Sequence, residues 1–410
     1  MIKLVDYSTP AMPTDESVRR LTDRLTGWLR SSDDEDPFIS DDSLATASGG
    51  QLDALASPPA CASLVRDMDV TFADWIAANR PSRRVQWVVM PPCDHHNVVR
   101  QWAVENGHRL IQPPPRSRLI EHPGDDQKPF KIDFGDSIET TDDDENTELP
   151  PTLIVIPRLE RWMLRHQDGL MLIRRLLTEV QRSPHRFVIG CSSWAWLFFE
   201  TVLDGGQWMH HGLTMRPYDA DDLATWLSTL TDDDSPSGPD DHFGADPAQP
   251  VRFRLTETGD DVFARSDDDL DNDFLATLAA QSDGIPWVAW ELWRRSIRLG
   301  PGTPDDQADR GDEKFPNERT VWVTPMTKVP SPKRFDSAML MVLHALLLHD
   351  GLTEDELGLT SPSVNLSAGL SALVAAEWVT HRQGRFQCRA AAYPQIIDRL
   401  RTAGYSVPPL

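Results

Sequence analysis

The stretch Val85–Ile111, VQWVVMPPCDHHNVVRQWAVENGHRLI, decides how the chain folds. Its opening, Val85–Met90, is a short apolar run of the kind that fills a strand buried on both faces of a sheet. Pro91–His96 follows as a tight loop. A helix is expected over Asn97–Glu105, and a second short strand opens near Arg109. Strand, turn, helix and strand in that order begin a parallel sheet, because parallel neighbours need a crossover connection.

Working outward, the same alternation recurs. Thr152–Ile156 is a second continuous apolar run, followed by an expected long helix over Leu159–Arg182. Arg186–Gly190 is a third such strand, leading through Cys191-Ser192-Ser193 into an aromatic helix, Trp194–Phe199. A last strand is expected near Gly212–Met215 and a helix over Tyr218–Leu230. An α/β domain over residues 63–230 results, its first helix around Ser63–Ala78 carrying Leu64, Met68, Phe72 and Trp75 on one face.

On the N-terminal side, residues 1–62 read as an amphipathic helix (Thr14–Arg30) and a loop rich in Asp, Ser, Gly and Pro. Two acidic insertions interrupt the chain, at 113–151 and 231–270. Asp125–Glu148 holds ten acids against two lysines, and Asp232–Asp273 holds fourteen against three arginines. Such composition reads as solvated loop, with an acidic docking tail for a basic partner as the functional alternative. Residues 271–299 read as a small helical unit split at Gly284-Ile285-Pro286, and 300–332 as a linker. Residues 333–410 read as three helices (Asp336–His349, one capped by Thr353 with Glu356 in a capping box, and Asn365–Ala376), a hairpin around Gly384, and a closing helix over Tyr393–Ala403.

The turn at Pro91–Asn97 has the outline of a phosphate-binding loop. A working one reads G-x-x-x-x-G-K-[ST]: glycines let backbone N–H groups close on the phosphates, Lys pairs with them, and Ser/Thr holds magnesium. Here Pro92, Cys93, Asp94, His95, His96 and Asn97 occupy the turn, with no glycine, lysine or Ser/Thr.

The order of parts over residues 63–410 resembles the AAA+/STAND class of P-loop ATPases. That resemblance implies a P-loop NTPase-like parallel sheet with helices on both faces, followed by a small helical lid and a winged-helix domain. Walker A would be Pro91–Asn97. Walker B would be the end of Thr152–Ile156, where magnesium-binding acids belong; Pro157 and Arg158 stand there instead, with Glu160 two residues late. The sensor-like polar position falls on Ser192 or Ser193. Arg294 and Arg295 sit where a lid could point an arginine at a phosphate. With both catalytic positions altered, the resemblance implies a degenerate, non-hydrolysing homologue without catalytic residues, and bound ATP or ADP is not expected. Pro92–Asn97 and Ser193 would line a vestigial nucleotide site.

Other constellations compete with this picture. Asp94-His95-His96 and His210-His211 invite a metal, but adjacent histidines on a tight turn do not readily face one ion, and no metal is expected. Cys93 at a helix N-terminus beside two histidines is the setting of a reactive thiol, the basis of an enzyme alternative. Ser192-Ser193 lacks the glycine downstream that a nucleophile elbow needs. The clustered tryptophans (Trp194, Trp196, Trp287, Trp290, Trp293) read as core or inter-domain packing.

Net charge is −24 over 410 residues, a field that repels nucleic acid and anionic lipid. The expected recognition helix, Asn365–Glu377, has no Lys or Arg, so DNA contact is disfavoured although Arg382, Arg385 and Arg389 mark the wing. No apolar run is long enough to span a membrane, no secretory signal is visible, and four scattered cysteines fit a reducing cytoplasm. With both catalytic positions altered, the resemblance implies a scaffold or regulatory role with a protein partner. A winged-helix DNA-binding regulator with a vestigial nucleotide domain, or an ATPase that still binds nucleotide, are the alternatives.

Overall fold

The computed structural model describes residues 1–13, 38–56, 62–78, 81–116, 119, 134, 152–166, 168–203, 209, 211–228, 251–266, 269–300, 319–333, 335–362 and 366–409. They form two compact units. The first joins Met1–Tyr7, Cys61–Arg216 and Val329–Leu410, and the second joins Ser8–Ala60 and Pro217–Lys328. The helix expected over Thr14–Arg30, the acidic tract Asp125–Glu148 apart from Phe134, and residues 231–250 lie outside the described residues.

The first unit is mixed α/β around a mostly parallel sheet. Five parallel strands, Val85–Met90, Arg109–Leu110, Leu153–Ile156, Arg186–Ser192 and Leu213–Thr214, stand in the spatial order fifth, first, fourth, third, second. Ile2–Lys3 adds an antiparallel edge beside Leu213–Thr214. The apolar runs have no polar alternation because both faces are covered. Trp87, Val89, Ile154, Ile156, Phe187 and Ile189 join one core with the helices Met171–Arg182 and Ser193–Val202. Val88, Met90, Val155 and Val188 are buried from the other side, where the helices Ala62–Ala77 and Val98–Glu105 pack through Phe72 and Trp102, centroids 5.4 Å apart. Arg186, at the start of its strand, donates to the carbonyls of Trp75, Ile76 and Ala78 and so closes the C-terminus of the Ala62–Ala77 helix.

One expected helix is not continuous. The long helix over Leu159–Arg182 is broken: a single 3-10 turn, Leu159–Trp162, is followed by irregular chain, and a helix begins only at Met171. The break follows from burial on all sides. Leu159, Trp162, Met163 and Leu164 are each fully buried, which no single helical stripe permits. Gly169 makes the break possible, since a Cβ there would lie 1.6 Å from the Leu164 carbonyl oxygen.

The C-terminal part of this unit holds the helices Ser337–His349, Glu354–Thr360 and Leu366–Ala375, the hairpin Val379–Arg382 with Arg385–Cys388, and the helix Tyr393–Thr402. The Thr353–Glu356 capping box forms as expected from sequence. Ser337–His349 is apolar all round because it is covered all round: it packs on the Ser193–Val202 helix, on the hairpin and on Leu366–Ala375. It ends in two left-handed residues, Asp350 at φ 51° and Gly351 at φ 88°. The Gly351 N–H donates back to the Leu346 carbonyl at 3.1 Å, a Schellman-type stop.

In the second unit, Phe274–Gln281 and Pro286–Ser296 are the two helices expected around Gly284-Ile285-Pro286. Gly284 takes φ 72° against Pro217 and Tyr218. The helix Ala220–Ser228, read in sequence with the α/β domain, packs on Phe274–Gln281 instead. The regions read as acidic insertion (231–270) and linker (300–332) each supply a strand: Val251–Leu255 pairs in parallel with Arg319–Val323 inside a four-stranded sheet completed by Ile297–Leu299 and Ala45–Thr46. Phe253 and Trp322 are their buried anchors. Apolar content in these short strands was masked by acids in the flanking loops.

Candidate functional site

The first and fourth parallel strands run side by side, Met90 beside Ser192 at their C-terminal ends. Beyond that pair the chains part. One crosses toward the Arg109–Leu110 edge and the other toward Leu213–Thr214. A parallel sheet opens a crevice at such a reversal of direction, outside the carboxyl ends of its strands. Here it is lined by Pro92, Cys93, Asp94 and Asn97 from the first turn, Pro157, Arg158 and Glu160 from the third strand's end, Ser192 from the fourth, and Asp350.

The first turn is held by its own carboxylate. Cys93 and Asn97 adopt left-handed backbone, φ 63° and 52°. Between them Asp94 accepts from the Asn97 N–H at 2.8 Å (Oδ1) and the Val98 N–H at 3.1 Å (Oδ2). The Asn97 side chain accepts from the Arg100 N–H at 3.2 Å. The positive end of the Val98–Glu105 helix thus already faces an anion belonging to the chain.

Across the crevice, Arg158 forks. One nitrogen donates to the Asp94 carbonyl and the other pairs with the Asp350 carboxylate. Arg161 donates to the same Asp350 oxygen at 2.8 Å. Glu160 is buried and accepts from the Ser192 N–H at 3.1 Å. Burial pushes its carboxyl up, against Arg158 and the backbone N–H groups that favour the charged form. Burial likewise brings the Arg161 guanidinium down to about 10, with nearby Arg158 adding to the effect.

Asp350 reaches this position because the turn after Ser337–His349 sits at the crevice mouth. Arg116 donates to the His349 carbonyl at 2.6 Å and the Gly351 carbonyl at 2.8 Å, and Arg385 donates to Gly351 at 3.0 Å. Both arginines share the buried Glu356, at 3.3 and 2.9 Å. The remaining cavity is about 20 Å³, room for a water or two. A small-ligand pocket is of a different size class.

Of the residues singled out in sequence, Pro92, Cys93, Asp94 and Asn97 come together here. His95 is exposed and lines a second small hollow beside Leu346 and Gln387. His96 is exposed and lines neither. Ser192, not Ser193, lines the crevice, and its Oγ caps the next helix at the Ala195 N–H, 3.2 Å. The Cys93 thiol is buried and donates to the Cys388 carbonyl at 3.5 Å. Arg294 pairs with Asp53 at 2.7 Å. Among the described residues no group of three or more His, Cys, Asp or Glu could hold a metal ion; His210 lies outside them. Arg116, Arg161 and Asp350 were missed. The signal available was the run Pro157-Arg158-Leu159-Glu160-Arg161, three charges directly after a buried strand.

The helix carrying Asp350 is tied down through two histidines. The Arg165 N–H donates to His349 Nε2 at 3.3 Å, which requires a neutral ring there. His344 stacks edge-on to Trp194 at 5.7 Å, with Arg165 beside it. Burial and that arginine bring His344 down to about 4, and burial holds His349 well below its ordinary value. Because both folded values lie under the ordinary histidine value, the unfolded chain takes up protons first as pH falls. Their stabilising effect is present above the unfolded value near 6.5 and is lost as pH drops from there toward about 4. The stability advantage of wild type over His344→Gln, read as a urea midpoint, should therefore shrink between pH 6.5 and 4 and stay constant above pH 7. An advantage that is flat throughout would contradict it.

No protein-family model matches the sequence. No curated protein matches it either. Among solved structures the chain is similar to the Aeropyrum pernix ORC2 protein in its ADPNP–ADP complexes. Identity is 10%, the alignment covers 84% of this chain and 95% of that one, and the TM-score is 0.36. Among the described residues no helix is long and apolar enough to cross a membrane.

Proposed function

We propose that this chain is a degenerate AAA+/STAND-like protein that does not hydrolyse nucleotide and acts as a scaffold or regulatory module for a protein partner. The observation that carries the reading is the occupancy of the crevice by the chain's own charges. Asp94 takes the helix N-terminus where a phosphate would be bound, and Arg158 stands where a magnesium-binding acid would be. A cation in the metal position repels magnesium, and an internal carboxylate at the helix end competes with phosphate. Glu160 is the acid left at the crevice floor; burial raises its carboxyl, and it already accepts from the Ser192 N–H.

The three helices and hairpin of the C-terminal part fit a winged helix. Protein docking suits this part better than DNA. Leu366–Ala375 carries no charge, Arg385 is engaged by Glu356, and Arg389 pairs with Glu377 at 3.1 Å. Direct readout of bases relies mainly on Arg, Lys, Asn and Gln, and that helix carries none of them.

Full-length protein incubated with magnesium and ATP should release no phosphate above a protein-free blank. Steady magnesium-dependent turnover that Glu160→Gln abolishes would sink the reading.

A further inference from the structure

Asp350 behaves toward Arg158 and Arg161 as a bound ligand does. It arrives from a distant part of the chain, on a turn whose two left-handed residues aim it into the crevice. Two guanidiniums converge on one of its oxygens, the arrangement by which arginines take up carboxylates and phosphates. The other acids nearby are largely engaged: Asp94 accepts from the Asn97 and Val98 N–H groups and stands 4.0 Å from Arg158, and Glu160 accepts from the Ser192 N–H. With the Asp350 carboxylate gone, Arg158 would keep only the long contact to Asp94, and Arg161 would lose the carboxylate it donates to.

We infer that Arg158 and Arg161 form a latent oxyanion site that Asp350 fills from within, and that a phosphate-bearing ligand competes with Asp350 for it, releasing the His349–Leu352 turn. This extends the proposed function, which concerns hydrolysis, to what the same crevice can hold. The competition explains why the closed form has little room for a ligand: affinity is lowered by the fraction of time the internal carboxylate is in place. Release of the turn would loosen the Ser337–His349 helix and its hairpin, so ligand occupancy would be read out on the surface offered to a protein partner.

The test uses the full chain and direct binding, without turnover, so its outcome is independent of whether ATP is hydrolysed. Pyrophosphate, ADP and adenosine are titrated by calorimetry into wild type, Asp350→Asn and Asp350→Asn/Arg158→Gln. Asp350→Asn should bind pyrophosphate at least tenfold tighter than wild type, and the double variant should lose that gain. Equal affinities for pyrophosphate and ADP would identify a free oxyanion as the ligand; tighter ADP binding, with adenosine silent, would identify a nucleoside diphosphate. In wild type, saturating pyrophosphate should speed hydrogen exchange of the amides around Asp350, a readout that does not depend on the variant folding. A folded Asp350→Asn with no gain for either anion overturns the inference. If that variant does not fold, unchanged wild-type exchange does the same.

Discussion

Arg158→Ala is expected to destabilise the first unit by about 3 kcal/mol, the lower end for removing one partner of a buried ion pair. Arg158 is 9% exposed, and its fork ties the Asp94 turn directly to Asp350. Its loss leaves the Asp94 carbonyl without that donor and Asp350 with Arg161 alone, so part of the pairing survives and the cost stays below the maximum. Arg158→Lys should recover little, because an ammonium cannot span two acceptors as a planar guanidinium does. Urea unfolding followed by circular dichroism reads the loss. Hydrogen exchange should place it in the turn after His349 and in the Ser337–His349 helix ahead of the sheet strands. A lysine variant as stable as wild type would show that the fork contributes charge and no geometry.

Gly190→Ala should cost about as much, roughly 3 kcal/mol, at the upper end of overpacking. A Cβ on Gly190 would stand 2.2 Å from the Pro157 carbonyl oxygen and 3.2 Å from a Val99 methyl. The first neighbour is backbone of the next strand's exit, which cannot rotate away. The sheet must instead release the Pro157–Glu160 segment, carrying Arg158 off Asp350. A glycine in open space supplies the contrast: nothing lies within 4 Å of a Cβ on Gly358 in the helix Glu354–Thr360. Gly358→Ala should therefore gain up to about 1 kcal/mol from helix propensity. Equal urea midpoints for the two variants would remove the steric explanation.

The sheet was legible in the sequence because its strands are buried on both faces. Val85–Met90, Leu153–Ile156 and Arg186–Ser192 lie where continuous apolar runs put them, with ends shifted by a residue or two. Helix ends carried by local chemistry were equally legible, such as the Thr353 capping box. Elements whose apolar pattern is not periodic were misread. Leu159, Trp162, Met163 and Leu164 are buried without a helical stripe, and the short strands Val251–Leu255 and Arg319–Val323 sit in acidic or proline-rich surroundings. The first half of the site was readable from one contiguous turn. Its second half was not, because Asp350 lies 192 residues from Arg158 and only the tertiary fold brings them together. Arg158, taken in sequence as a lost acid, is the residue around which the crevice closes.

The first unit is assembled from three separate stretches of chain, with its last contribution at Val329–Leu410. During synthesis, at roughly 5–20 residues per second, the sheet strands therefore leave the ribosome on the order of tens of seconds before the helix that carries Leu348, a member of their own core. In that interval the crevice has its arginines and lacks its aspartate, and the apolar surface meant for Ser337–His349 is uncovered. Such a topology leaves that apolar surface open to aggregation for longer than a contiguous domain of the same size would. It also means that no single cut yields an independently folding half.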